Sequence, residues 1–175
     1  QQVLENSRLK IPLLFAYDVI HGYKTIFPIP LAESCSWDLN LMEQTARASA
    51  VEASASGLHW TFAPMVDISR DPRWGRVMEG AGEDPFLGAL VAEARIKGFQ
   101  GAHLEDSSTI AACAKHFAGY GFAEAGKDYN SVNIGQNTLL NVVLPPFKKA
   151  SSCSVATCMN AFNDLDGIPC TANEY

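Results

Sequence analysis

"LLFAYD" occupies residues 13–18 and is an apolar run that ends abruptly at a carboxylate. Three further runs have the same character, because each is apolar nearly throughout instead of alternating with polar residues. Runs of this kind are typical of parallel strands that are covered on both faces. The sequence therefore predicts four strands: "LLFAYD" (13–18), "HWTFAPMVD" (59–67), "AACAKHF" (111–117) and "SVATCMNAF" (154–162).

The segment between the first two runs predicts a helix over residues 38–56. Ser36 or Asp38 can cap its start, and Gly57 can end it. The apolar face that this helix would bury repeats near the helical period of 3.6 residues and consists of Leu39, Met42, Ala46, Ala50 and Ala53.

Two more helices are predicted further along the chain. Residues 84–97 begin with Asp84 followed by proline, a favourable helix start, and Gly98 follows their end. Residues 135–150 form a third helical region, which the prolines at 145–146 should kink or restart because each lacks an amide donor. Strands and helices therefore alternate, and this order predicts an α/β fold of βαβ units with right-handed crossovers.

The length of the chain limits how much of a barrel it can form. A complete (β/α)8 barrel needs roughly 250 residues, whereas this chain has 175. Its elements predict a partial (β/α)8 TIM-type barrel of about four strands with intervening helices, or a smaller open sheet. The chain lacks an initiator Met and stops at "CTANEY" without closing an element. We therefore expect residues 1–175 to be one part of a barrel domain that is truncated at both ends.

Composition excludes several classes of function. The net charge of -6 argues against a nucleic-acid-binding face, and no apolar run is long enough to span a membrane. The motifs GxGxxG and HExxH and a P-loop are missing, so no cofactor and no metal are predicted. The five cysteines lack CxxC pairs and leave the disulfide state open. Cys113 and Cys158 lie in predicted strands, where we expect them to be buried.

Polar residues stand at the ends of the predicted strands. The first run ends at Asp18, the second at Asp67, and the third delivers Lys115 and His116. In βα barrels the active site lies at the carboxyl ends of the strands. These four side chains are therefore expected to converge on one rim, although they are far apart in the sequence.

The loop "SRDPRWGR", residues 69–76, adds three arginines to this rim. Arg76 ends the loop and is the arginine that we favour for ligand binding. Trp74 is predicted to stack on a guanidinium or on a sugar ring. The other arginines are expected to form ion pairs with the nearby carboxylates, which are Asp71, Glu79, Glu83 and Asp84.

The two other histidines near the strands have structural interpretations. His21 is expected to orient the first loop, and His59 lies within an apolar strand. The remaining ring of aspartate, arginine, lysine and histidine fits a polyhydroxylated ligand. It does not fit a phosphate well, since Asp18 and Asp67 would repel the anion.

Six motifs identify a known family by resemblance. "AYDVIHG", "FPIPLAES", "APMVDISRDPRWGR", "EGAGEDP", "AKHFAGYG" and "MNAFNDLDGIPCTA" resemble the N-terminal barrel domain of family 3 glycoside hydrolases. The resemblance extends from about residue 8 to residue 175, with the motifs in the same order. It implies an exo-acting retaining hydrolase of β-glucosidase type, which removes terminal non-reducing β-D-glucosyl residues. It also implies a periplasmic or secreted location, with a β-glucoside or small oligosaccharide as substrate.

The resemblance assigns roles to four residues. Asp18, Arg76, Lys115 and His116 match the residues that bind the terminal sugar in this family. The family nucleophile is an Asp in a Ser-Asp-Trp-like motif on a later barrel strand, and the acid/base is usually a Glu from the following domain. Neither motif occurs in this sequence, so no catalytic carboxylate is assigned in residues 1–175.

Two features depart from the family pattern or select among its branches. Many relatives carry Tyr at the position of Phe162, so one hydroxyl contact is missing. Some relatives carry a ligand-binding Arg near the position of Tyr129. Tyr129 is therefore a candidate for part of the role of that Arg. The loop "AGYGFAEAGKDYNS" lacks the Asp-x-His dyad of the N-acetylglucosaminidase branch, which favours the glucosidase branch.

Three alternatives stay open from the sequence. One is a β-xylosidase of the same family, and another is a non-catalytic carbohydrate-binding remnant. The third takes Asp18 and Asp67 as the catalytic pair of a small hydrolase, which would need carboxyl groups about 5–5.5 Å apart for a retaining reaction. The oligomeric state cannot be predicted from the sequence.

Overall fold

A computed structural model describes residues 1–174. Within this range the strands and helices alternate as the sequence predicts, and an α/β fold is confirmed. The strands are β1 (Ala16–Tyr17), β2 (Trp60–Thr61), β3 (Cys113–Phe117), β4 (Thr157–Asn160), β5 (Asp164–Leu165) and β6 (Ile168–Pro169). The helices are α1 (Gln2–Asn6), α2 (Pro30–Ser34), α3 (Leu39–Ala55), α4 (Pro85–Gln100), α5 (Gln136–Thr138) and α6 (Leu144–Ser152).

Strands β1 to β4 lie side by side in chain order. β1 pairs with β2 and β3 pairs with β4, in both cases parallel. Parallel bridges from Trp60 to Ala111 and from Met65 to Lys115 join the two pairs. The carboxyl ends of the four strands therefore lie along one edge of a continuous parallel array.

Helix α3 forms where the sequence predicts it. The Asp38 carboxylate accepts a hydrogen bond from the amide of Leu41 at 2.9 Å and so caps the first turn. The predicted apolar face is buried apart from its first residue, Leu39, and Ser49, which was not part of the prediction, is buried as well.

Helix α4 begins where predicted but ends later. Asp84 caps it through the amide of Leu87 at 2.7 Å, and the helix continues through Gly98 to Gln100. The prediction that Gly98 ends it was wrong, because this glycine serves helix packing instead. A Cβ at Gly98 would lie 2.4 Å from the carbonyl oxygen of Glu43 in α3, so only glycine permits this close approach.

The third helical region is interrupted, as its prolines predict. A π-helical turn over Leu139–Val143 separates α5 from α6. Pro145 and Pro146 lie in the first turn of α6, where a missing amide donor removes no necessary helical bond.

The prediction that all four strands are covered on both faces was wrong for the two ends of the array. Strand β3 lies in the middle and its first four residues are buried. Leu14 and Tyr17 at β1 are more than half exposed, and Cys158 on β4 is exposed rather than buried as predicted. Within residues 1–174, β1 and β4 each have a neighbouring strand on one side alone. Cys113 is buried as expected.

The main core lies between helices α3, α4 and α6 and the strands. Small alanines from the helices meet branched and aromatic side chains such as Val66, Ile96 and Phe99. No helix in residues 1–174 is both long and apolar enough to cross a bilayer.

Candidate functional site

Asp18 follows β1 directly and points into the open edge formed by the strand ends. Its side chain is 60% exposed, and its Oδ1 lies 3.1 Å from the Nζ of Lys115. The turn that contains Asp18 is bonded to β2, because the amide of Val19 donates to the hydroxyl of Thr61 at 3.1 Å. Two sequence-predicted site residues that are 97 positions apart are thus in direct contact.

Lys115 and His116 lie near the carboxyl end of β3. Their side chains are only 3% and 1% exposed. The pairing of β3 with β4 shifts register between Lys115 and Phe117. The strand ends within this irregular stretch, which agrees with the expectation that two adjacent side chains can serve one site only where their strand ends.

Arg76 is joined to Lys115 through a glutamate. Glu79 accepts two hydrogen bonds from Arg76, from Nε at 2.7 Å and from Nη2 at 2.9 Å. The same carboxylate lies 3.7 Å from the Nζ of Lys115. Burial alone would raise the pKa of Glu79, but the hydrogen bonds and charge of Arg76 outweigh burial and lower it. Glu79 therefore remains ionised and fixes two cations at the rim.

The guanidinium of Arg76 responds in the opposite direction. Burial would lower its pKa, but the hydrogen bonds and charge of Glu79 outweigh burial and raise it. The guanidinium carbon also lies 5.5 Å from the centre of the Tyr120 ring, within the range of a cation–π contact. Arg76 is therefore charged and held in one place.

His116 is oriented by Asp67. The Oδ2 of Asp67 accepts from the backbone amide and from the Nδ1 of His116, both at 2.9 Å. Nδ1 therefore bears a hydrogen, and Nε2 is left to contact a ligand. Asp67 itself is 1% exposed and committed to His116. This burial argues against Asp67 as a catalytic partner of Asp18.

Trp74 does not face a ligand, so the prediction that it stacks on a guanidinium or sugar was wrong. It is 1% exposed, and its ring lies edge-on to Tyr120 at a centroid distance of 5.1 Å. Asp128 Oδ1 accepts from the indole nitrogen of Trp74 at 2.9 Å and from the Tyr120 hydroxyl at 2.6 Å. The indole is therefore a buried support under the rim, and Tyr120 takes the cation–π contact instead.

The contacts between Tyr120 and Asp128 shift the pKa of each residue. Burial and the neighbouring Asp128 carboxylate raise the pKa of Tyr120. Burial would raise the pKa of Asp128, but hydrogen bonds from Tyr120 and Trp74 outweigh it and lower that pKa. Asp128 thus ties the loop after β3 to the arginine-rich loop as a carboxylate.

Aromatic rings flank His116 on the open side. The His116 ring lies 5.1 Å from the Tyr120 ring and 5.9 Å from the Phe162 ring, measured between centroids. Tyr129 packs against Phe162 at 5.1 Å, and both of these rings are more than half exposed. Apolar ring faces beside hydrogen-bonding groups are typical of sites that bind sugars and other polyhydroxylated ligands.

The two other histidines have local partners. His21 Nδ1 donates to the carbonyl of Phe27 at 2.9 Å, and His59 Nδ1 accepts from the amide of Phe15 at 3.2 Å. Among the residues that the structure describes, no group of three or more His, Cys, Asp or Glu side chains could hold a metal ion.

The sequence did not identify two members of the site. Tyr120 and Asp128 join the site through contacts with Arg76 and Trp74, which lie more than 40 positions earlier in the chain. The sequence shows Asp67 and Glu79 as acidic residues near the predicted site. It does not show that Asp67 holds His116 or that Glu79 holds Arg76.

Fold and site together define an α/β protein with a dense hydrogen-bonding site at the carboxyl ends of parallel strands. Asp18, Arg76, Lys115 and His116 lie in this one network of contacts. Its charges and donors are fixed in advance by partners within the protein.

Comparison with known proteins places the chain in a family. Residues 1–175 match the glycosyl hydrolase family 3 N-terminal domain, and the chain belongs to this family. It is 45% identical over 174 residues to a periplasmic β-glucosidase of Salmonella typhimurium, which covers 99% of this chain and 23% of that protein.

Solved structures agree with this assignment. A β-glucosidase from Listeria innocua in complex with glucose superposes with a TM-score of 0.95 at 51% identity, covering 98% of this chain and 24% of that one. A β-xylosidase of Formosa agariphila is 32% identical over 188 residues, covering the whole of this chain and 26% of that protein. The chain thus spans about a quarter of the length of these relatives.

Proposed function

We propose that the complete protein is an exo-acting, retaining β-glucosidase and that this chain supplies the binding site for the terminal sugar. One observation is central: Asp18 after β1, Arg76 in the loop after β2, and Lys115 and His116 at the end of β3 meet in one network, with Lys115 Nζ 3.1 Å from Asp18 Oδ1. The identities of 45% and 51% to β-glucosidases support the same function.

The proposed roles follow from the chemistry of each group. The exposed Asp18 carboxylate accepts hydrogen bonds from two sugar hydroxyls. Lys115 and Arg76 donate to the same ring, and their charges stay fixed because Glu79 holds both. His116 offers Nε2, because Asp67 holds Nδ1. Groups fixed before the ligand arrives lose little freedom on binding, which favours the transition state.

The rest of the reaction is assigned outside residues 1–175. Retaining hydrolysis needs a nucleophilic carboxylate and an acid/base, and the proposal puts both further along the complete protein, as the resemblance to the family implies. We propose that residues 1–175 form about half of a (β/α)8 barrel. The exposed apolar residues Leu13, Leu14 and Phe15 support this, because further barrel strands would cover them. The periplasmic relative supports a periplasmic or secreted location.

A β-xylosidase is the second candidate, because the chain also aligns over its whole length with a β-xylosidase. The decisive test is to express the complete open reading frame and compare kcat/KM for aryl β-glucoside and aryl β-xyloside. A clear preference for the glucoside supports the proposal, and a preference for the xyloside selects the alternative. Glucose binding without turnover of either substrate would indicate a carbohydrate-binding remnant.

A further inference from the structure

Asp18 is the most exposed of the four site residues and has the fewest contacts of its own. Among the described residues, its carboxylate has one recorded partner, Lys115 at 3.1 Å. Its neighbours Leu14, Phe15 and Tyr17 are also exposed, so packing around β1 does little to hold it. The position of Asp18 must therefore come from its backbone.

The amide that follows Asp18 is held by β2. Thr61 is fully buried, and its Oγ1 accepts from the amide of Val19 at 3.1 Å. The same amide also donates to the carbonyl of Tyr17 at 3.1 Å, so Thr61 is its partner from outside the turn. Thr61 lies opposite Tyr17 in the β1–β2 pair, so its side chain reaches the first residue beyond the site aspartate.

The carbonyl of Ile20, two residues beyond Asp18, is held by α4. Arg95 is buried in this helix, and its Nη2 donates to the carbonyl oxygen of Ile20. Its Nη1 donates to Glu33 at 2.7 Å, in an ion pair of which both side chains are 5% exposed. The guanidinium also lies 5.7 Å from the centre of the Phe99 ring. Arg95 thus bonds to Glu33 and to the carbonyl of Ile20 at the same time, and a buried guanidinium with both partners in place holds that stretch of backbone.

We propose that Thr61 and Arg95 are positioning residues for Asp18. They hold the amide of Val19, directly after the aspartate, and the carbonyl of Ile20, two residues after it, and so set where the Asp18 carboxylate meets the sugar. The inference rests on the proposed function for its catalytic consequence. A displacement of about 1 Å at a positioned group can cost about 10²-fold in rate, so a loosened turn should be visible in catalysis.

The chain offers a matched control for Thr61. Thr157 opens β4 at the opposite end of the strands, where its Oγ1 accepts from Trp60 Nε1 at 2.8 Å and donates to the carbonyl of Ala112 at 2.9 Å. Thr61→Val and Thr157→Val remove one threonine hydroxyl each and keep the side-chain shape. Only the first touches the turn after Asp18.

The test uses the complete protein with aryl β-glucoside as substrate. Thr61→Val should lower kcat/KM about tenfold, while Thr61→Ser and Thr157→Val should stay within about twofold of wild type. Deuterium exchange in a peptide over residues 17–21 should speed up in Thr61→Val and not in Thr157→Val. Arg95→Lys, which keeps the charge toward Glu33 but loses the planar fork, should show the same pattern as Thr61→Val.

The outcomes separate this inference from the proposed function. If wild type hydrolyses the glucoside but Thr61→Val and Arg95→Lys match Thr157→Val in rate and exchange, the positioning role is refuted and the function stands. If wild type hydrolyses neither glucoside nor xyloside, the function fails, and exchange at residues 17–21 still decides whether Thr61 and Arg95 hold the turn.

Discussion

The exits of β3 and β1 present site residues in opposite ways. At β3, Lys115 and His116 are 3% and 1% exposed; His116 bonds to the buried Asp67, and Lys115 lies 3.7 Å from the largely buried Glu79 as well as 3.1 Å from Asp18. At β1, Asp18 is 60% exposed and bonds to Lys115 alone among the described residues. The difference follows from position, because β3 is flanked by strands on both sides and β1 is the end of the array.

This contrast separates stability from ligand binding. A group held within the β3 exit contributes to folding as well as to the site, because its loss leaves buried partners unsatisfied. Asp18 is itself mostly exposed, so its loss affects the fold mainly through Lys115, which still has Glu79 at 3.7 Å. Substitutions at the two exits should therefore have opposite balances of thermal stability and activity.

The largest stability effect is expected at Asp67. Asp67→Ala leaves the amide and Nδ1 of His116 buried without an acceptor, which costs about 3 kcal/mol. For a folding unit of about 150–250 residues that corresponds to a fall in Tm of roughly 6–12 °C. The complete protein is larger, so calorimetry on it should show a fall at or below the lower end of this range. Asp67→Asn keeps one oxygen acceptor, so its Tm should fall less than that of Asp67→Ala. An unchanged Tm for Asp67→Ala would remove the distinction between the two exits.

Asp18→Ala should show the reverse balance. We expect kcat/KM for an aryl β-glucoside to fall by roughly 10²-fold or more, the scale of a lost transition-state contact. The Tm should fall less than in Asp67→Ala, because the buried Lys115 loses its partner at 3.1 Å but keeps Glu79 at 3.7 Å. A loss of only a few-fold would mean that Asp18 does not bind the sugar in the transition state.

A smaller, pH-dependent effect is expected at Asp128. Its pKa in the folded protein lies below the ordinary value of 3.8, so its stabilising contribution is complete above that value and is lost as the pH falls through the lowered pKa. Asp128→Asn should therefore lower Tm by a few degrees at pH 7. The difference from wild type should shrink in scans below about pH 4. A difference that stays constant with pH would contradict an ionised Asp128.

The smallest effect is expected at Asp71, in the same loop as Trp74. Arg73 lowers the pKa of Asp71 to about 2, yet this pair lies at the surface, where solvent screens it. Asp71→Ala should leave Tm and kcat/KM unchanged within error. Asp71→Ala therefore serves as the carboxylate control for Asp67→Ala. A large fall in Tm or kcat/KM for Asp71→Ala would show that burial does not explain the difference between Asp67 and Asp71.

The sequence predicted the helices better than it predicted burial. The period of α3 and the caps Asp38 and Asp84 are local patterns, and both were confirmed. The exposure of β1 and of Cys158 depends on which strands lie next to them, and an apolar run does not contain that information.

Long-range partners were the other gap. Gly98 resembled a helix end, but its role is set by Glu43 and Ala46 of α3, about fifty positions earlier. The Trp74–Asp128 hydrogen bond likewise spans 54 positions. Residue types at strand ends predicted which groups meet at the rim, whereas the partners that orient them became visible only in three dimensions.

The environment of Trp74 has an optical consequence. The chain contains three tryptophans; Trp37 is 76% exposed, whereas Trp74 is 1% exposed and shares Asp128 with Tyr120, whose ring contacts His116. Water-soluble quenchers will therefore reach Trp37 far more readily than Trp74. Trp60 is partly buried, so Trp74 is the one of the three that is fully shielded, and its quencher-resistant emission reports on the layer directly beneath the rim. Occupation of the rim can therefore be followed as a change in that emission without any added label.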